Sequence, residues 1–276
     1  MSKVAAIQMA SGPNVKANLA EAEKLIKIAV QQGAELVVLP ENFAIMGMDE
    51  TDKVKIAEES GSGLLQDYLK EQAIRHNIWL VGGTIPIRSE DSGKVFAACL
   101  LVNPQGEQVA RYDKIHLFDV IIEASNESYT ESETIAAGDK IVVVDTPFGR
   151  LGLAVCYDLR FPELFRAMVE QKMEICALPS AFTSLTGKVH WESLLRSRAI
   201  ENLSFMIAAD QGGYHVGGRE THGDSMIVDP WGHVLNRLPH GTGVVVADID
   251  LAKLERTRKM FPALEHKRFQ CGFSNN

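Results

Sequence analysis

Leu151-Gly152-Leu153-Ala154-Val155-Cys156 runs directly into Tyr157-Asp158-Leu159-Arg160-Phe161-Pro162. The first six residues are short and apolar, as in a strand buried on both faces. Pro162 suits the first turn of a helix, where its missing N–H removes no bond. A strand, a sharp turn and a helix therefore meet at Cys156. Such an elbow exposes one side chain and offers the following backbone N–H, that of Tyr157, to an anion. On this local pattern alone a buried cysteine closing a strand is the commoner outcome, because unpaired cysteine is among the most buried residue types. Cys99 (Ala-Ala-Cys-Leu-Leu) and Cys176 (Glu-Ile-Cys-Ala-Leu) lie inside apolar strands and read as core.

The same alternation extends outward in both directions. Upstream, Val4–Met9, Glu35–Leu39 and Trp79–Gly83 read as strands. Between them, Lys16–Gln32 carries Ala22, Leu25, Ile26, Ala29 and Val30 at helical period, and Leu64–His76 is helical again. Phe96–Asn103 and Gln108–Lys114 flank the turn Asn103-Pro104-Gln105-Gly106, which predicts an antiparallel hairpin. Ile141–Asp145 pairs in the same way with Arg150–Cys156. Downstream come a helix over Pro162–Gln171, a strand over Glu174–Leu178, a helix over Trp191–Asn202 and a strand over Phe205–Asp210. A third hairpin joins Ser225–Asp229 to Val234–Leu238, and a last strand (Gly243–Asp248) and helix (Leu251–Arg258) follow. Strand–helix alternation indicates an α/β layered fold, with two mixed sheets packed together and helices outside. The two halves share an order of helix, strand, helix, strand and hairpin, a weak sign of pseudosymmetry.

Composition bounds the possibilities. The 276 residues hold 46% hydrophobic and 23% charged residues, ordinary for a globular protein. No Pro/Gly/Ser linker divides them, so 1–276 is read as one domain with its core at about 1–255 and a tail, 256–276, that packs over another surface. The net charge of −8 (28 Lys and Arg against 36 Asp and Glu) argues against nucleic acid as the main partner. No apolar run approaches the ~18 residues of a membrane span. The start lacks a signal peptide's apolar segment, and the four cysteines form no CxxC pair or disulfide framework, so a reducing cytoplasm is the expected location.

A cysteine nucleophile needs a base and an anion stabiliser. Glu41 follows Val37-Val38-Leu39-Pro40 at the end of a buried strand, where poor solvation should raise its pKa toward that of a useful base. A turn or helix-capping acid is the plainer alternative. Lys114 closes the strand Gln108–Lys114, and its alternative is a surface lysine paired with Asp113 or Asp119. Taken singly each alternative is commoner. Acid, base and thiol each placed at a strand terminus make a stronger joint signal, because ligands gather at strand ends in α/β folds.

Leu-Pro-Glu41-Asn, Tyr-Asp-Lys114-Ile-His-Leu-Phe and Ala-Val-Cys156-Tyr-Asp-Leu-Arg-Phe-Pro-Glu occur in that order. Together they resemble the signature segments of the nitrilase, or carbon–nitrogen hydrolase, superfamily, over nearly the whole chain. The resemblance implies a four-layer α-β-β-α sandwich and a Glu-Lys-Cys triad. In that triad Glu41 is general base, Lys114 oxyanion stabiliser and Cys156 nucleophile. It further implies homodimers or larger homo-oligomers, assembled through helices near the nucleophile and the C-terminal segment. A second glutamate follows the lysine in such proteins. Glu131-Ser132 before Ala137-Gly138 matches, although Val120–Thr130 lacks the usual Pro and Gly and offers Glu123 and Glu127 as rivals.

Ser180-Ala-Phe182-Thr-Ser-Leu-Thr186 and His222-Gly-Asp-Ser225-Met-Ile-Val-Asp-Pro-Trp231 are similar to the Nit branch. This branch implies hydrolysis of the terminal amide of a small 2-oxo acid, to carboxylate plus ammonia, through a cysteine thioester. Ser180–Ser184 and Phe161-Pro162-Glu163 resemble enzymes of deaminated glutathione more than ω-amidases acting on 2-oxoglutaramate. A general aliphatic amidase is a further possibility. Arg160 matches a position facing the substrate carboxylate, which its planar fork suits. A structural arginine paired with Glu163 or Asp158 is an equal alternative. Phe182 and Thr186 match pocket-lining positions, and His190 and Trp191, at the start of the next helix, read as structural. No metal, nucleotide or flavin is expected. The glycine pairs lack a GxGxxG or phosphate-loop pattern, and no ligand cluster has zinc spacing. A rival of another class, a binding protein that has lost catalysis, would show no reactive, low-pKa thiol at Cys156.

Overall fold

The computed structural model describes residues 1–91, 93–122 and 127–269. In the first half, β1 (Ser2–Gln8), α1 (Val15–Gln31), β2 (Leu36–Val38), the one-turn α2 (Asp52–Lys55), α3 (Leu64–His76) and β3 (Trp79–Val81) lead to β4 (Ile85–Arg88), β5 (Val95–Val102) and β6 (Gln108–Asp113). The antiparallel pair β7 (Asp119–Ile122) and β8 (Glu127–Thr130) follows. In the second half, β9 (Val143–Thr146), β10 (Gly149–Leu153), α4 (Pro162–Glu170), β11 (Ile175–Ser180), α5 (Ser184–Asn202) and β12 (Phe205–Asp210) are followed by the small hairpin β13 (Gly212–Tyr214) and β14 (Glu220–His222). Then come β15 (Ser225–Val228), β16 (Val234–Leu238), β17 (Gly243–Ile249) and α6 (Leu251–Met260).

The strands form two mixed sheets. The first runs β17-β1-β2-β3-β5-β4 with β6 added on β5, and the second runs β16-β15-β12-β11-β10-β9. At the centre of the first, β1, β2 and β3 are parallel; at the centre of the second, β10, β11 and β12 are parallel. Each parallel triple is threaded by two helices, α1 and α3 in one half and α4 and α5 in the other. This is the pseudosymmetry hinted at by the order of elements.

Period-two patterning decides which face goes where. Val4, Ala6, Leu36 and Val38 face a core shared with the second sheet, which contributes Leu151, Leu153, Ile175 and Ile207. Their neighbours Ala5, Ile7, Val37 and Leu39 face the opposite way, onto Ala22, Leu25 and Ile26 of α1 and Leu65 and Leu69 of α3. Phe165 of α4 and Trp191 and Leu195 of α5 cover the second sheet. The layers are therefore α-β-β-α. Each aliphatic side chain taken fully out of water contributes about 1.5–3 kcal/mol, so a one-residue slip of any central strand is strongly disfavoured.

Several boundaries differ from expectation. β10 ends at Leu153, not Cys156, because the Val155 N–H turns to the Asp158 carboxylate and Cys156–Arg160 form a 3-10 turn. α5 begins at Ser184 rather than Trp191. Thr183 caps it by accepting the Thr186 N–H, and at Gly187, within its first turn, a Cβ would lie 2.3 Å from His222. β4, β7, β8, β13 and β14 have no counterpart in the sequence reading. The strands β7 and β8 have only four residues each, with no apolar–polar alternation in Asp-Val-Ile-Ile, and β13–β14 is glycine-rich, so neither pair shows a strand pattern. Phe261 packs edge-on against Trp231, and Lys267 pairs with Glu170 at 2.7 Å. Residues 270–276, with Cys271, lie outside the described residues.

Candidate active site

Glu41 leaves β2 through Leu39-Pro40. Gly83, just past β3, has φ +57°, and a Cβ there would stand 2.2 Å from the Pro40 carbonyl oxygen. Only glycine lets the two strand exits pass so closely. The Asn42 N–H donates to Thr84 Oγ1 at 2.9 Å, and Gln211 Nε2 donates to the Glu41 carbonyl at 3.0 Å. The Glu41 backbone is thus held from both sheets, and its side chain is buried.

Lys114 follows β6, its N–H bonded to the Ala97 carbonyl. Its buried Nζ donates to Glu41 Oε1 at 2.8 Å and to Glu131 Oε1 and Oε2 at 2.9 and 2.8 Å. Glu131 stands just past β8, where its Oε2 also accepts the Phe118 N–H at 2.7 Å. Of the three candidate glutamates, Glu131 therefore reaches the lysine. Glu127 sits within β8 and makes no ion pair among the described residues, and Glu123 lies outside them. The surface-lysine alternative is not what the structure shows: Asp113 is taken by Arg111 at 2.8 Å, and Asp119 accepts the Ser132 N–H.

Cys156 has φ +47°, the left-handed region that disfavours any residue with a Cβ. Such strain persists only where surroundings impose it. Here Asp158 imposes it. This fully buried carboxylate accepts the Val155 N–H at 2.8 Å, the Tyr112 hydroxyl at 2.7 Å and the His116 N–H at 3.1 Å, with His116 Nδ1 2.7 Å from Oδ1. The elbow is thereby tied to the strand that carries Lys114.

Cys156, Glu41, Lys114 and Glu131 line one cavity of about 520 Å³, together with Tyr157, Arg160, Phe182 and Thr186. Arg160 is not paired with Glu163 or Asp158. Its Nη1 lies 3.0 Å from His190 Nδ1, and its guanidinium stands 5.1 Å from the Phe182 ring centre and 5.8 Å from that of Tyr157. The Phe182 N–H donates to Asp210 Oδ1, and the Phe182 ring packs on Trp191. Trp191 itself is structural: its Nε1 donates to the Asp224 carbonyl. His190 and Trp191 lie inside α5 rather than at its start.

The electrostatics are those of two carboxylates sharing one ammonium. Burial would lower the Lys114 pKa, but Glu131 and Glu41 together hold it well above the lysine range. Burial would raise Glu131, yet Lys114 and Lys53 hold it below the ordinary carboxylate value. Burial pushes the Cys156 thiol well up, and the Glu41 carboxylate adds to this. Lys114 and the Ala181 backbone N–H oppose the shift without reversing it. The direction is opposite to that of a low-pKa thiol, because burial and the neighbouring Glu41 favour the neutral form.

Sequence reasoning missed Glu50, Lys53, Phe118, Tyr129 and Arg219, which also line the cavity. Gly217-Gly218 before Arg219 was the available signal, since paired glycines mark a tight turn. Among the described residues no group of three or more His, Cys, Asp or Glu could hold a metal ion, and no helix is long and apolar enough to cross a membrane.

Residues 3–259 match the family model for carbon-nitrogen hydrolase. The chain belongs to the carbon–nitrogen hydrolase family. It is 44% identical over 268 residues to a deaminated glutathione amidase of Synechocystis sp., covering 96% of this chain and 97% of the relative. It is 42% identical to a deaminated glutathione amidase of Yersinia enterocolitica, covering 97% and 93%. The crystal structure of Saccharomyces cerevisiae Nit3, a member of branch 10 of the nitrilase superfamily, superposes with a TM-score of 0.87 at 30% identity, covering 97% of each chain. This carbon–nitrogen hydrolase is an amide-cleaving enzyme of the nitrilase fold, and its Glu41, Lys114 and Cys156 side chains converge where the strands of both sheets end.

Proposed function

We propose that the enzyme hydrolyses the amide of deaminated glutathione through a thioester on Cys156. The observation that supports the chemistry is Lys114 Nζ, held between Glu41 and Glu131 in the cavity that contains the Cys156 thiol. Glu41 takes the thiol proton as Sγ attacks the amide carbon, which suits a thiol whose own pKa is raised. The carbonyl oxygen gains the negative charge, stabilised by Lys114 and the Tyr157 backbone N–H; such a donor typically contributes about 3–4 kcal/mol. Protonated Glu41 passes its proton to the amine nitrogen as the C–N bond breaks. Glu41 then draws a proton from water, whose oxygen attacks the thioester, and Cys156 leaves and is reprotonated. Glu131 orients Lys114. Arg160, with Phe182 and Thr186, receives the carboxylate end of the 2-oxo acid.

The substrate assignment is supported by the relatives that carry this activity at 42–44% identity over nearly their whole length. In deaminated glutathione the 2-oxoglutaryl group is joined to cysteinylglycine, so the leaving amine is that dipeptide. Ammonia leaves only from a primary amide such as 2-oxoglutaramate. Free thiols at Cys99, Cys156 and Cys176 fit a reducing compartment, and we place the enzyme in the cytoplasm. Exposed Leu185, Val189 and Ile200 on α5 support assembly into homodimers or larger homo-oligomers.

The test is release of 2-oxoglutarate from deaminated glutathione and from 2-oxoglutaramate by the purified protein, with Cys156→Ala beside it. A clear excess on deaminated glutathione is expected. Preference for 2-oxoglutaramate moves the enzyme to the ω-amidase group, and full activity in Cys156→Ala overturns the mechanism.

A further inference from the structure

The wall of the cavity closes on itself in a ring of contacts. The Arg160 guanidinium stands over Phe182, and Phe182 follows Ala181, whose carbonyl accepts Arg219 Nη2 at 3.1 Å. The Arg219 guanidinium lies 5.2 Å from the Tyr129 ring centre; Tyr129 packs on Phe118 and Phe118 on Tyr157, each at 5.1 Å. Tyr157 returns to Arg160 at 5.8 Å. Two arginines therefore interrupt one belt around Cys156, separated by Ala181–Phe182 on one side and by three aromatic rings on the other. Neither makes an ion pair with an acid among the described residues. The third cation of the rim, Lys53, is already taken by Glu50 at 2.6 Å.

The two arginines are not equivalent. A second depression of about 980 Å³ opens beside the first and shares Glu50, Lys53, Tyr129 and Arg219 with it, whereas Arg160 borders only the first. Arg219 Nε is a buried donor without a hydrogen-bond partner among the described residues. The amide that joins the two halves of the substrate must sit at Cys156. With the 2-oxo acid end on Arg160, the amine half leaves toward Arg219 and the second depression.

We infer that Arg219 binds the carboxylate at the far end of the amine half, and so selects amides of a dipeptide-like acid over simple primary amides. This rests on the reading that deaminated glutathione is the substrate. Arg219 makes no contact with the reacting atoms; it is a specificity residue.

The experiment compares kcat/KM for deaminated glutathione with that for its analogue in which the terminal glycine carboxylate is a carboxamide. Wild-type enzyme should prefer the acid about thirtyfold, the size of a charge-assisted hydrogen bond. In Arg219→Gln that preference should fall to about one, with the loss on the acid carried mainly by KM. Because each ratio is taken within one protein, a partly folded variant does not distort it. An acid preference in Arg219→Gln equal to that of the wild type overturns the inference while leaving the substrate reading intact. Wild-type enzyme inactive on deaminated glutathione overturns both.

Discussion

At the scale of single residues, the site depends on one ammonium shared by two carboxylates. Lys114 and Glu131 are both removed from water, and each helps to hold the other as an ion, with Glu41 as a second partner of Lys114. The folded-state pKa of Glu131 lies below its ordinary value of 4.5. Its contribution to stability is therefore fully present above pH 4.5 and is lost as pH falls through the lower folded value. Glu131→Gln keeps the shape and removes the charge. Its urea midpoint should lie below that of the wild type at neutral pH, and the gap should close as pH falls below 4.5. A gap that stayed constant with pH would show that Glu131 acts there by packing. Burial acts on Cys156 in the opposite sense, favouring its neutral thiol, which is why the proposed mechanism gives Glu41 the task of taking its proton.

At the scale of elements, the elbow after β10 is a strained turn made permanent by a buried acid. Asp158 gathers donors from its own turn, from Tyr112 on β6 and from His116 beyond it. It fixes the left-handed Cys156 and the strand that carries Lys114 with one carboxylate. Asp158→Asn would set an amide N–H₂ against donors that need an acceptor. Loss of about 2–4 kcal/mol of stability is expected, as for a buried charged acceptor whose partners go unpaired, with a larger fall in kcat than in KM. Thermal unfolding and steady-state kinetics measure both; unchanged kcat would mean that the elbow holds without Asp158. The small pairs β7–β8 and β13–β14 play a related part. They add little to the core, but they place Glu131 and Arg219 on the cavity wall.

At the scale of the whole molecule, the site exists because two sheets end at one place. Glu41 and Lys114 leave the first sheet, and Cys156 and Phe182 leave the second. The Gln211 side chain joins them: it follows β12 of the second sheet, accepts the Ser11 N–H, and donates to Ser11 Oγ and to the Glu41 carbonyl. Gln211→Leu fits the space but leaves these groups unbonded in a fully buried place. We expect stability lower by about 2–3 kcal/mol and kcat lower by about tenfold, because Glu41 loses its tie to the opposite sheet. Urea unfolding with kinetics at saturating substrate tests this. A stability loss with unaltered kcat would show that the tie is structural only.

The sequence alone determined the layered architecture and three corners of the site. Strand runs such as Val37–Leu39 and Leu151–Leu153 and the helical period of α1 are local signals, set by the need to bury alternate or every third to fourth side chain. Glu41, Lys114 and Cys156 are legible because each directly follows or closes such a run. The hairpin at Asn103–Gly106 is legible because its turn demands glycine, and Gly106 has φ +78°. Tertiary structure alone decided the rest. Only β6 and β8 brought together show that Glu131 meets Lys114, because ion pairing depends on distance through space rather than along the chain. Gly187 lies within α5 because His222 leaves no room for a Cβ there. The direction of the thiol's pKa depended on its burial beside Glu41, and Arg219 entered the cavity wall through a hairpin too short and too glycine-rich to carry a hydrophobic pattern.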